Sequence, residues 1–564
     1  IIERRMTMEL SMTIALVAAL AIGEFFTALI ITAFVLAAEI LEGLTVGRGR
    51  NAIKDMLDFL PQTASVIRDG QIKEVSTQAI QAGEIVLIRP GSRIPVDGTV
   101  IEGRSYVEQA AITGEPVPAE KIVGSEVYAG TINQAGTLHV RTEKLGKETT
   151  FGKIIEAVEK AERARAPIQK TADRLAGYLV YFALGAAALT FLITRNIEST
   201  ISVVIVAGAC GIAAGTPLAI LGAIGRAARK GSIIKGGVYL EALGHLNTLF
   251  VDKTGTLTYG SLVVDKVIPE PGYTVNDVME AAAIAERNSE HPIGQAIVQY
   301  ALEHQIPIAK PEHFAYEPGR GVIAFSNGEE MTAGNPAFFA SKGIAVPANN
   351  ELSAGSGVLV ARSGKYCGAV TVVDQIRPTS AQAVQELQQM GVKVILLTGD
   401  GRNTAKSVAG QLNIYHFHGE MLPEQKADHV AAEVQKGRTV AMLGDGINDA
   451  PALAEATVGV AMGAGTAVAR ESADVVLIGN DLMKFVETVH IARNCRRIIF
   501  QNFYGTLTVD AIGIGLAAVG LLNPLLAAFI HVSSELAFIL NSTRLLPPRE
   551  KHPRSADEVV AAPA

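Results

Sequence analysis

The sequence predicts a multidomain membrane protein with an α-helical transmembrane bundle, a β-rich domain, and an α/β domain that carries an α+β insertion. Three observations lead to this prediction. At 564 residues the chain is too long for one hydrophobic core. It is 49% hydrophobic but also 19% charged, which suits neither an ordinary soluble protein nor a chain wholly inside lipid. Apolar stretches of membrane-spanning length alternate with long polar segments.

Several apolar stretches are long enough to cross a bilayer as helices, which satisfy their own backbone hydrogen bonds. They occur in pairs, at residues 9–23, 25–41, 175–193, 199–224, 503–522 and 525–543. Basic residues flank the same side of each pair, which places the large polar segments in the cytosol. We therefore expect a multi-pass protein of the prokaryotic plasma membrane, with cytosolic catalytic domains and the lipid bilayer as a partner.

Charge and cysteine content exclude some classes of partner. The net charge of -7 gives no basic surface for a polyanion, so we expect no nucleic acid partner. The three cysteines, Cys210, Cys367 and Cys495, are far apart, which excludes a disulfide framework and a CxxC metal module. No feature of the sequence indicates an obligate protein partner.

The polar segments differ in their predicted folds. Residues 45–168 are rich in Val, Ile and Gly with period-two alternation, as in VIRDGQIKEV, and end in a charged helix around 152–166. Residues 231–495 alternate short apolar strands with helical stretches, which predicts a parallel α/β sheet. Residues 259–370 interrupt this pattern as an inserted α+β domain. The end of the chain, 546–564, is predicted to be a disordered tail.

The strand TLFV runs directly into Asp252-Lys253-Thr254-Gly255-Thr256-Leu257-Thr258. This places a carboxylate at the carboxyl end of a parallel strand, where open α/β sheets build their sites. Such a carboxylate can attack a phosphoryl group, and the Lys, Thr and Gly that follow suit phosphate binding. The structural alternative is an Asp that caps a turn, but the whole heptapeptide favours the phosphorylation site.

Other strand ends and helix starts in the same segment carry polar residues that suit phosphate or metal chemistry. Phosphoryl transfer needs a hard divalent cation, and Asp252 with Asp445 can supply oxygen ligands for Mg²⁺. Lys426 and Thr398 can then hold the remaining phosphoryl oxygens. Singly, each motif could be an ordinary βα loop. The candidate catalytic residues of these motifs are Thr398, Gly399, Asp400, Lys426, Asn448 and Asp449.

The order of the motifs TGE, DKTGTLT, TGD, PEQK and GDGxND resembles the P-type ATPases over nearly the whole chain. The resemblance implies ATP and Mg²⁺ as cofactors, with Asp252 as the phosphoacceptor and Asp252, Thr254 and Asp445 as Mg²⁺ ligands. It assigns Lys253 to the same pocket. It also implies that Thr113-Gly114-Glu115 is the loop of an actuator domain, in which Glu115 positions water to hydrolyse the phosphoenzyme.

The resemblance divides the chain into helix pairs and cytosolic domains with a haloacid-dehalogenase-like phosphorylation domain. The implied divisions are a helix pair at 1–44, an actuator domain at 45–168, a helix pair at 169–230, a phosphorylation domain at 231–258 and 371–495, a nucleotide-binding domain at 259–370, a helix pair at 496–545 and a tail at 546–564. The family usually has two further helices and often a Cys-rich domain ahead of these, so we expect either a trimmed chain or an unusual branch.

The inserted domain carries candidate nucleotide ligands. An imidazole can stack on adenine, and paired glycines let the backbone approach the base closely. Ser289-Glu290-His291-Pro292 is also a plain helix start, with Ser289 as the cap. It resembles the His-Pro motif of the heavy-metal branch of the P-type ATPases, which implies a transition-metal cargo. The candidate nucleotide residues are Glu286, His291, Pro292, Gly319, Gly321 and Asn335.

The membrane segment departs from the pattern of that branch. Where the branch usually carries Cys-Pro-Cys, this sequence has Gly208-Ala209-Cys210. Cys210 is either a metal ligand or a small apolar residue. Asp510 interrupts an apolar span, and intramembrane carboxylates are costly enough to be functional. His531 and Glu535 are four residues apart on one helix face, and either coordinate the cargo or bond to neighbouring helices.

This mixed donor set favours export of a divalent cation such as Zn²⁺, Co²⁺, Fe²⁺, Ni²⁺ or Cd²⁺ over Cu⁺, which prefers soft sulfur ligands. A Cu⁺ pump is the alternative cargo. A membrane-anchored haloacid-dehalogenase-type phosphatase is a further alternative, but such enzymes commonly place a second Asp where this chain has Thr254. A metal sensor with an inactive ATPase core would show a broken catalytic set, and here the set is filled.

Overall fold

The chain folds into two compact units. They comprise Ile1–His245 with Asp474–Gly479 and Glu487–Ala564, and Leu246–Ala473 with Asn480–Val486. The structure is a computed structural model that describes residues 61, 63–68, 70–109, 118–149, 152, 166–207, 210–347, 356–445, 447–463 and 472–546, together with scattered positions between 13 and 40.

The β-rich part of the first unit has the alternating pattern that its sequence predicts. Its strands are β1 Thr63–Arg68, β2 Gln71–Ser76, β3 Ile85–Ile88, β4 Asp97–Glu102, β5 Ser105–Glu108, β6 Ala119–Lys121, β7 Glu126–Val127, β8 Ile132–Asn133 and β9 Leu138–Lys144. They form antiparallel sheets in the orders β2-β1-β3-β9-β4-β7 and β6-β5-β8. Val66, Val86 and Val140 are buried, alternate with less buried neighbours along their strands, and fill the core. The predicted charged helix at 152–166, apart from its two end residues, and the loop at 113–115 lie outside the described residues.

Helices follow this domain. They are α1 Pro167–Thr194, α2 Ile197–Val206 and α3 Cys210–Arg229, followed by β10 Ser232–Ile234 and α4 Gly237–Gly244. The predicted single span at 199–224 is therefore wrong, because the structure divides it into α2 and α3. Ala207 leaves helical geometry with φ −83° and ψ 71°. The sequence carries Gly208 at this division, and glycine lowers the cost of bending or breaking a helix.

The second unit begins with β11 and its inserted domain. The elements are β11 Thr248–Asp252, β12 Thr258–Pro269, α5 Val275–Glu286, α6 Pro292–Glu303, β13 His313–Glu317, β14 Gly321–Ser326, β15 Glu329–Gly334, α7 Pro336–Ser341, β16 Ser356–Arg362 and β17 Lys365–Ile376. The inserted sheet is antiparallel in the order β12-β17-β16-β15-β14-β13. Apolar residues of α5, among them Met279 and Ile284, pack on it.

The rest of this unit alternates helices and strands, as its sequence predicts. The elements are α8 Pro378–Gln389, β18 Lys393–Leu397, α9 Arg402–Gln411, β19 His416–His418, α10 Pro423–Gln435, β20 Val440–Gly444, α11 Ala450–Glu455 and β21 Val458–Ala461. The strands run parallel in the order β21-β20-β11-β18-β19. Every residue of β11 and β20 is buried, as expected for central strands covered on both faces.

The chain returns to the first unit with β22 Val475–Leu477, which pairs antiparallel with β10. The last two helices are α12 Met483–Ala518 and α13 Pro524–Thr543. Among the described residues, α1 and α13 are long and apolar enough to cross a membrane, and α2 is a shorter apolar helix. The predicted span at 503–522 falls mostly within α12. Only scattered positions of the predicted spans at 9–23 and 25–41 are described, and apart from the turn at Gly23 these positions are helical. The tail at 546–564 is described only at its first residue.

Candidate functional site

One edge of the parallel sheet collects the phosphate motifs. Strand β11 ends at Asp252, and β18 and β20 lie on either side of it, parallel to it. Thr398 and Asp445 directly follow those two strands. Because the carboxyl ends of parallel strands meet at one edge, three motifs that are far apart in sequence converge there.

A buried cluster of carboxylates surrounds Asp252. Ligand oxygens of Asp252, Asp445 and Asp449 all lie within 4.8 Å of one another. Lys426 Nζ donates hydrogen bonds to Asp252 Oδ1 at 2.5 Å and to Asp449 Oδ1 at 2.9 Å. Asp252, Asp449 and Lys426 are buried and Asp445 is partly buried, so the attraction and repulsion among these charges are weakly screened by solvent.

The electrostatics of the cluster indicate an excess of negative charge. Burial and, after it, the charge of Asp449 raise the pKa of Asp252 to about 7 against the opposing effect of Lys426. Burial and Asp449 also raise the pKa of Asp445 to about 6. Burial lowers the pKa of Lys426, but the charges of Asp252 and Asp449 outweigh it and raise the net value. This carboxylate set fits Mg²⁺, which prefers hard oxygen ligands and would relieve the repulsion.

The turn after Asp252 brings its backbone close to this cluster. The Thr254 N–H donates to Asp252 Oδ2 at 3.0 Å, which fixes the carboxylate. Gly255 has a φ of 71°, and a Cβ there would overlap the Asp445 carboxylate. Gly255 is therefore required both for its backbone conformation and for the close approach of Asp445.

Two residues that hold this turn were not predicted from the sequence. Asp374 Oδ2 accepts a hydrogen bond from Thr258 Oγ1 at 2.6 Å, and its Oδ1 accepts one from the Gly260 N–H at 3.0 Å. The Arg377 guanidinium donates to the Gly255 carbonyl at 3.0 Å. The sequence feature that could have identified them is the charged pair Asp374 and Arg377 at the end of the apolar strand β17, where the other motifs also follow strands.

Lys253 is held beside this turn by carboxylates. Its ammonium pairs with Asp400 and lies 3.6 Å from Asp374 Oδ2. The Thr398 hydroxyl accepts a hydrogen bond from the Asp400 N–H at 3.1 Å and is itself buried. The structure thus brings Lys253, Thr398 and Asp400 together. The exposed predicted residues of this edge are Thr254, Gly399 and Asn448.

In the inserted domain, Glu286 ends α5 as a buried acid. It is 5% exposed, and its Oε2 has no hydrogen-bond partner within the described part of the chain. Burial raises the pKa of Glu286, although a hydrogen bond from Ser289 opposes the shift. A Cβ at Gly294 would overlap Glu286 Oε2, so Gly294 keeps space open beside this oxygen. Gly294 was not predicted, because its only local signal is its place shortly after the His-Pro dipeptide.

His291 and Pro292 form the start of α6. His291 is the N-cap, and its Nδ1 accepts a hydrogen bond from the Ile293 N–H at 3.2 Å. Its ring is exposed, while Pro292 occupies the first helical position. The prediction that Ser289 caps this helix is wrong. His291 occupies the N-cap position because an imidazole nitrogen can accept a hydrogen bond from a backbone N–H of the first helical turn.

The remaining nucleotide candidates lie together at one end of β14 and β15. Asn335 Nδ2 donates to the Gly319 carbonyl at 2.9 Å, and Gly319 has a φ of 70°. At Gly321, a Cβ would overlap the Phe338 ring. Gly319, Gly321 and Asn335 therefore lie close together, with Gly319 in a left-handed conformation and Gly321 in a place that has no room for a side chain.

The membrane candidates on α12 carry unsatisfied oxygens. Asp510 is 4% exposed, and within the described residues its Oδ2 has no hydrogen-bond partner. Thr506, one helical turn earlier, is also buried. Its hydroxyl likewise has no hydrogen-bond partner among the described residues. Thr506 was not predicted, because a Thr in an apolar helix often bonds to its own backbone. An unpaired buried polar atom is costly, so this face is suited to a ligand.

The candidates on α13 meet α12 at the end of α2. His531 and Glu535 are both buried, and His531 hydrogen-bonds to the backbone of Val206. A Cβ at Gly513, one turn after Asp510, would also meet the Val206 side chain. Val206 precedes Cys210 by four residues, although the Cys210 side chain lies outside the described set. Among the described residues, Asp510, His531 and Glu535 do not form a group of three whose ligand atoms all lie within 4.8 Å of one another, as the Asp252 cluster does.

Comparisons with known proteins agree with this arrangement of domains. Residues 58–159 match the P-type ATPase actuator domain, and residues 246–457 match the haloacid dehalogenase-like hydrolases. The chain is 38% identical over 535 residues to a copper-exporting P-type ATPase of Bacillus subtilis (strain 168), covering 92% of this chain and 67% of that protein. A copper-exporting P-type ATPase of Staphylococcus aureus (strain MW2) is 34% identical over 548 residues, covering 93% of this chain and 68% of that protein.

The chain belongs to the heavy-metal branch of the P-type ATPases. The crystal structure of a zinc-transporting PIB-type ATPase in the E2.Pi state has a similar fold. Its TM-score is 0.63 at 31% identity, with 96% of this chain and 90% of that chain covered.

Membership confirms the predicted fold class and enzyme class. This ATPase is a membrane translocase for a heavy metal, with actuator, phosphorylation and nucleotide-binding domains. The alternative of a membrane-anchored phosphatase is excluded, because the actuator match and the near-complete alignment go beyond the haloacid-dehalogenase fold. The aspartate cluster is consistent with the use of Mg²⁺ and ATP.

Proposed function

We propose that this ATPase transfers the γ-phosphoryl group of ATP to Asp252 and uses the phosphoenzyme cycle to export a divalent transition-metal cation from the cytosol. The observation that carries the cargo proposal is the meeting of α2, α12 and α13 at Val206, next to buried polar groups on both α12 and α13.

The phosphorylation step follows from the contacts of Asp252. The Thr254 N–H and Lys426 hold its two carboxylate oxygens, which orients it for attack on the terminal phosphorus. Lys426 also stabilises the ionised carboxylate, which is the nucleophilic form. Asp252, Asp445 and the Thr254 backbone would hold Mg²⁺. The bound ion would neutralise the negative charge of the phosphoryl oxygens.

Substitution of the nucleophile tests this assignment. Asp252→Asn should abolish acid-stable labelling by ATP that carries a labelled γ-phosphate, because an amide cannot form the acyl phosphate. Asp265→Asn, an exposed position in the same unit, is the matched control and should label normally. Persistent labelling of Asp252→Asn would remove Asp252 from this role.

Hydrolysis of the phosphoenzyme is proposed to depend on Glu115, which lies outside the described residues. Glu115→Gln should form the phosphoenzyme at a normal level but lose it slowly after a chase with unlabelled ATP, because the amide cannot act as a general base. A normal decay rate would contradict the role of the actuator loop.

The chemistry of the donors supports a divalent cargo. The buried groups that face the meeting point of the helices supply carboxylate, hydroxyl and imidazole atoms. Cys210 is the single thiol among the donors predicted from the sequence. Borderline ions such as Zn²⁺, Co²⁺, Fe²⁺ and Ni²⁺ accept such mixed sets, whereas Cu⁺ prefers several soft sulfur ligands.

Export of Cu⁺ is the second candidate. It is favoured by two relatives that are named copper exporters and are 38% and 34% identical to this chain. The zinc-transporting structure, at 31% identity, favours the divalent alternative. Both candidates predict loss of transport when Asp510 or Cys210 is removed, so the identity of the metal requires its own measurement.

Metal-stimulated ATP hydrolysis distinguishes the two. The purified protein should be assayed with Cu⁺, Zn²⁺, Cd²⁺, Co²⁺, Fe²⁺ and Ni²⁺ in turn, alongside Asp510→Ala and Cys210→Ala. We expect a divalent ion to stimulate the wild type and Asp510→Ala to lose this stimulation. Stimulation by Cu⁺ alone would establish the second candidate, and stimulation by no metal would defeat both.

A further inference from the structure

A strongly basic cavity lies between α3 and α12. It has a volume of about 480 Å³ and is lined by Arg226 of α3 and by residues of α12. The α12 residues that the argument uses are His490, Arg493, Asn494 and Arg497. None of them belongs to the catalytic, nucleotide or cargo sites described above.

An adjoining open cavity of about 660 Å³ extends this surface along α12. Arg493 and Arg497 line both cavities, so the two are continuous. The second adds Arg496, Phe500 and Tyr504. We call the combined surface the basic cavity, defined by Arg226, His490, Arg493, Asn494, Arg496, Arg497, Phe500 and Tyr504.

Within the described part of the chain, three arginines of this cavity have no acidic partner. No carboxylate there pairs with Arg226, Arg496 or Arg497. The contacts that two of these arginines do make are neutral, because Arg497 donates to Asn494 Oδ1 at 2.8 Å and the Arg496 guanidinium lies 5.3 Å from the Phe500 ring centroid. Clustered guanidinium groups without a carboxylate favour a bound anion that can accept several hydrogen bonds.

The position of the cavity on α12 indicates which anion is available. The helix rises about 1.5 Å per residue, so its basic part lies within roughly 20 Å of the apolar stretch predicted to cross the bilayer. Tyr504 is 66% exposed at the start of that stretch, and aromatic residues favour the membrane interface. Basic pockets at this depth on the cytosolic side meet the phosphates of lipid head groups.

We propose that the basic cavity binds the head-group phosphate of an anionic phospholipid from the cytosolic leaflet. Arg226, Arg496 and Arg497 supply the guanidinium donors, and Phe500 and Tyr504 lie against the start of the acyl chains. The proposal needs only the membrane location of this ATPase, so it stands apart from the identity of the cargo and from the role of Asp252.

Lipid retention by the full-length protein tests the proposal. The protein is reconstituted with phosphatidylcholine alone or mixed with phosphatidylglycerol, extracted in mild detergent, and analysed for bound lipid by native mass spectrometry. We expect preferential retention of phosphatidylglycerol. The variant Arg496→Gln/Arg497→Gln should weaken this preference by about fivefold for each arginine removed.

Two controls make the outcome specific. Arg195→Gln removes an arginine that lies 5.8 Å from the Phe191 ring centroid, beyond the end of α1, and should leave the preference unchanged. Arg497→Lys keeps the positive charge and should retain most of the preference for phosphatidylglycerol. Comparison with the glutamine variant therefore separates the effect of lost charge from that of misfolding.

Several results would overturn the proposal. Equal retention of the two lipids by the wild type would show no anionic selectivity. An unchanged preference in the double variant, or an equal loss in Arg195→Gln, would place lipid binding elsewhere. A soluble competitor distinguishes the source of the phosphate: excess inorganic phosphate that displaces the lipid completely would make the cavity a free-anion site. Retention in its presence supports a lipid site.

Discussion

At the scale of single residues, Lys426 determines the charge balance of the phosphorylation site. It bonds to both Asp252 and Asp449, and all three side chains are buried. Buried ion pairs add little net stability when complete, but removal of one partner leaves uncompensated charge in a weakly screened environment. We therefore expect Lys426 to support folding as well as the orientation of Asp252, the proposed nucleophile.

This predicts a large effect of Lys426→Ala. Its loss should lower the free energy of unfolding by about 3–5 kcal/mol, because two carboxylates lose their counter-charge. Lys436→Ala is the matched control, since Lys436 pairs with Glu433 on the surface, and such pairs contribute about 0–1 kcal/mol. Denaturant unfolding without nucleotide measures both. Adding Asp449→Asn should recover part of the loss, and a Lys426→Ala variant as stable as Lys436→Ala would contradict the argument.

Glu286 illustrates the opposite case, a buried acid that we propose as a nucleotide ligand and whose ionised form lowers stability. Its pKa in the folded protein is raised by burial, so folding favours the protonated acid. Its contribution to stability is thus greatest below the pKa of the unfolded chain and is lost as the pH rises through the folded value. At neutral pH the buried carboxylate destabilises the domain.

Glu286→Gln should therefore raise stability at pH 8, by on the order of 1 kcal/mol, because a neutral amide replaces an incompletely bonded carboxylate. The gain should shrink as the pH falls toward 4, where the wild-type acid is protonated. Thermal unfolding across this pH range measures the trend. A fluorescent ATP analogue should bind the variant more weakly if Glu286 contacts nucleotide. Equal stability of the two proteins at every pH would contradict the electrostatic explanation.

At the scale of elements, glycines set how closely the membrane helices approach. On α12, a Cβ at Gly505 would overlap the Phe538 ring of α13, whereas a Cβ at Gly515 would meet nothing within 4 Å. The two glycines share a helix and differ in this one respect. They therefore separate the cost of a clash from the intrinsic helix preference of alanine.

We expect Gly505→Ala to be less stable than Gly515→Ala by about 1–3 kcal/mol, because the added methyl group must displace an aromatic ring in a packed interface. Thermal unfolding in detergent, monitored through the helical signal, makes the comparison. Replacing Phe538 by Leu in the Gly505→Ala background should restore stability by vacating the space. If both alanine variants behave alike, α12 and α13 are not packed as closely at Gly505 as the structure indicates.

The elements also show what local sequence can predict. The parallel strands and the position of Asp252 were predictable, because a short apolar run followed by a polar motif is a contiguous signal. Asp374 and Arg377 were not, because their partners near Gly255 lie more than a hundred residues away in sequence. The division of the 199–224 span was also missed, since hydropathy responds to apolar content and not to backbone conformation.

At the scale of the whole molecule, ATP chemistry and cargo are assigned to different compact units. The candidate phosphorylation and nucleotide residues lie in Leu246–Ala473, whereas Asp510, His531 and Glu535 belong to the other unit. A pump must couple the cargo site to the ATP site energetically. A substitution at the cargo site should therefore lower the rate of ATP hydrolysis while the affinity of the other unit for nucleotide stays the same. Asp510 is the residue at which this separation can be measured.

Asp510→Asn should leave the affinity for a fluorescent ATP analogue unchanged, because no nucleotide candidate lies in its unit. It should reduce metal-stimulated ATP hydrolysis by about 10–100-fold, as expected when an oxygen ligand loses its charge. Thr508→Val, at an exposed position on the same helix, should retain full stimulation. Full stimulation in Asp510→Asn would remove this acid from the transport path. Loss of nucleotide affinity would instead indicate a global folding defect, because both measurements would then fall together.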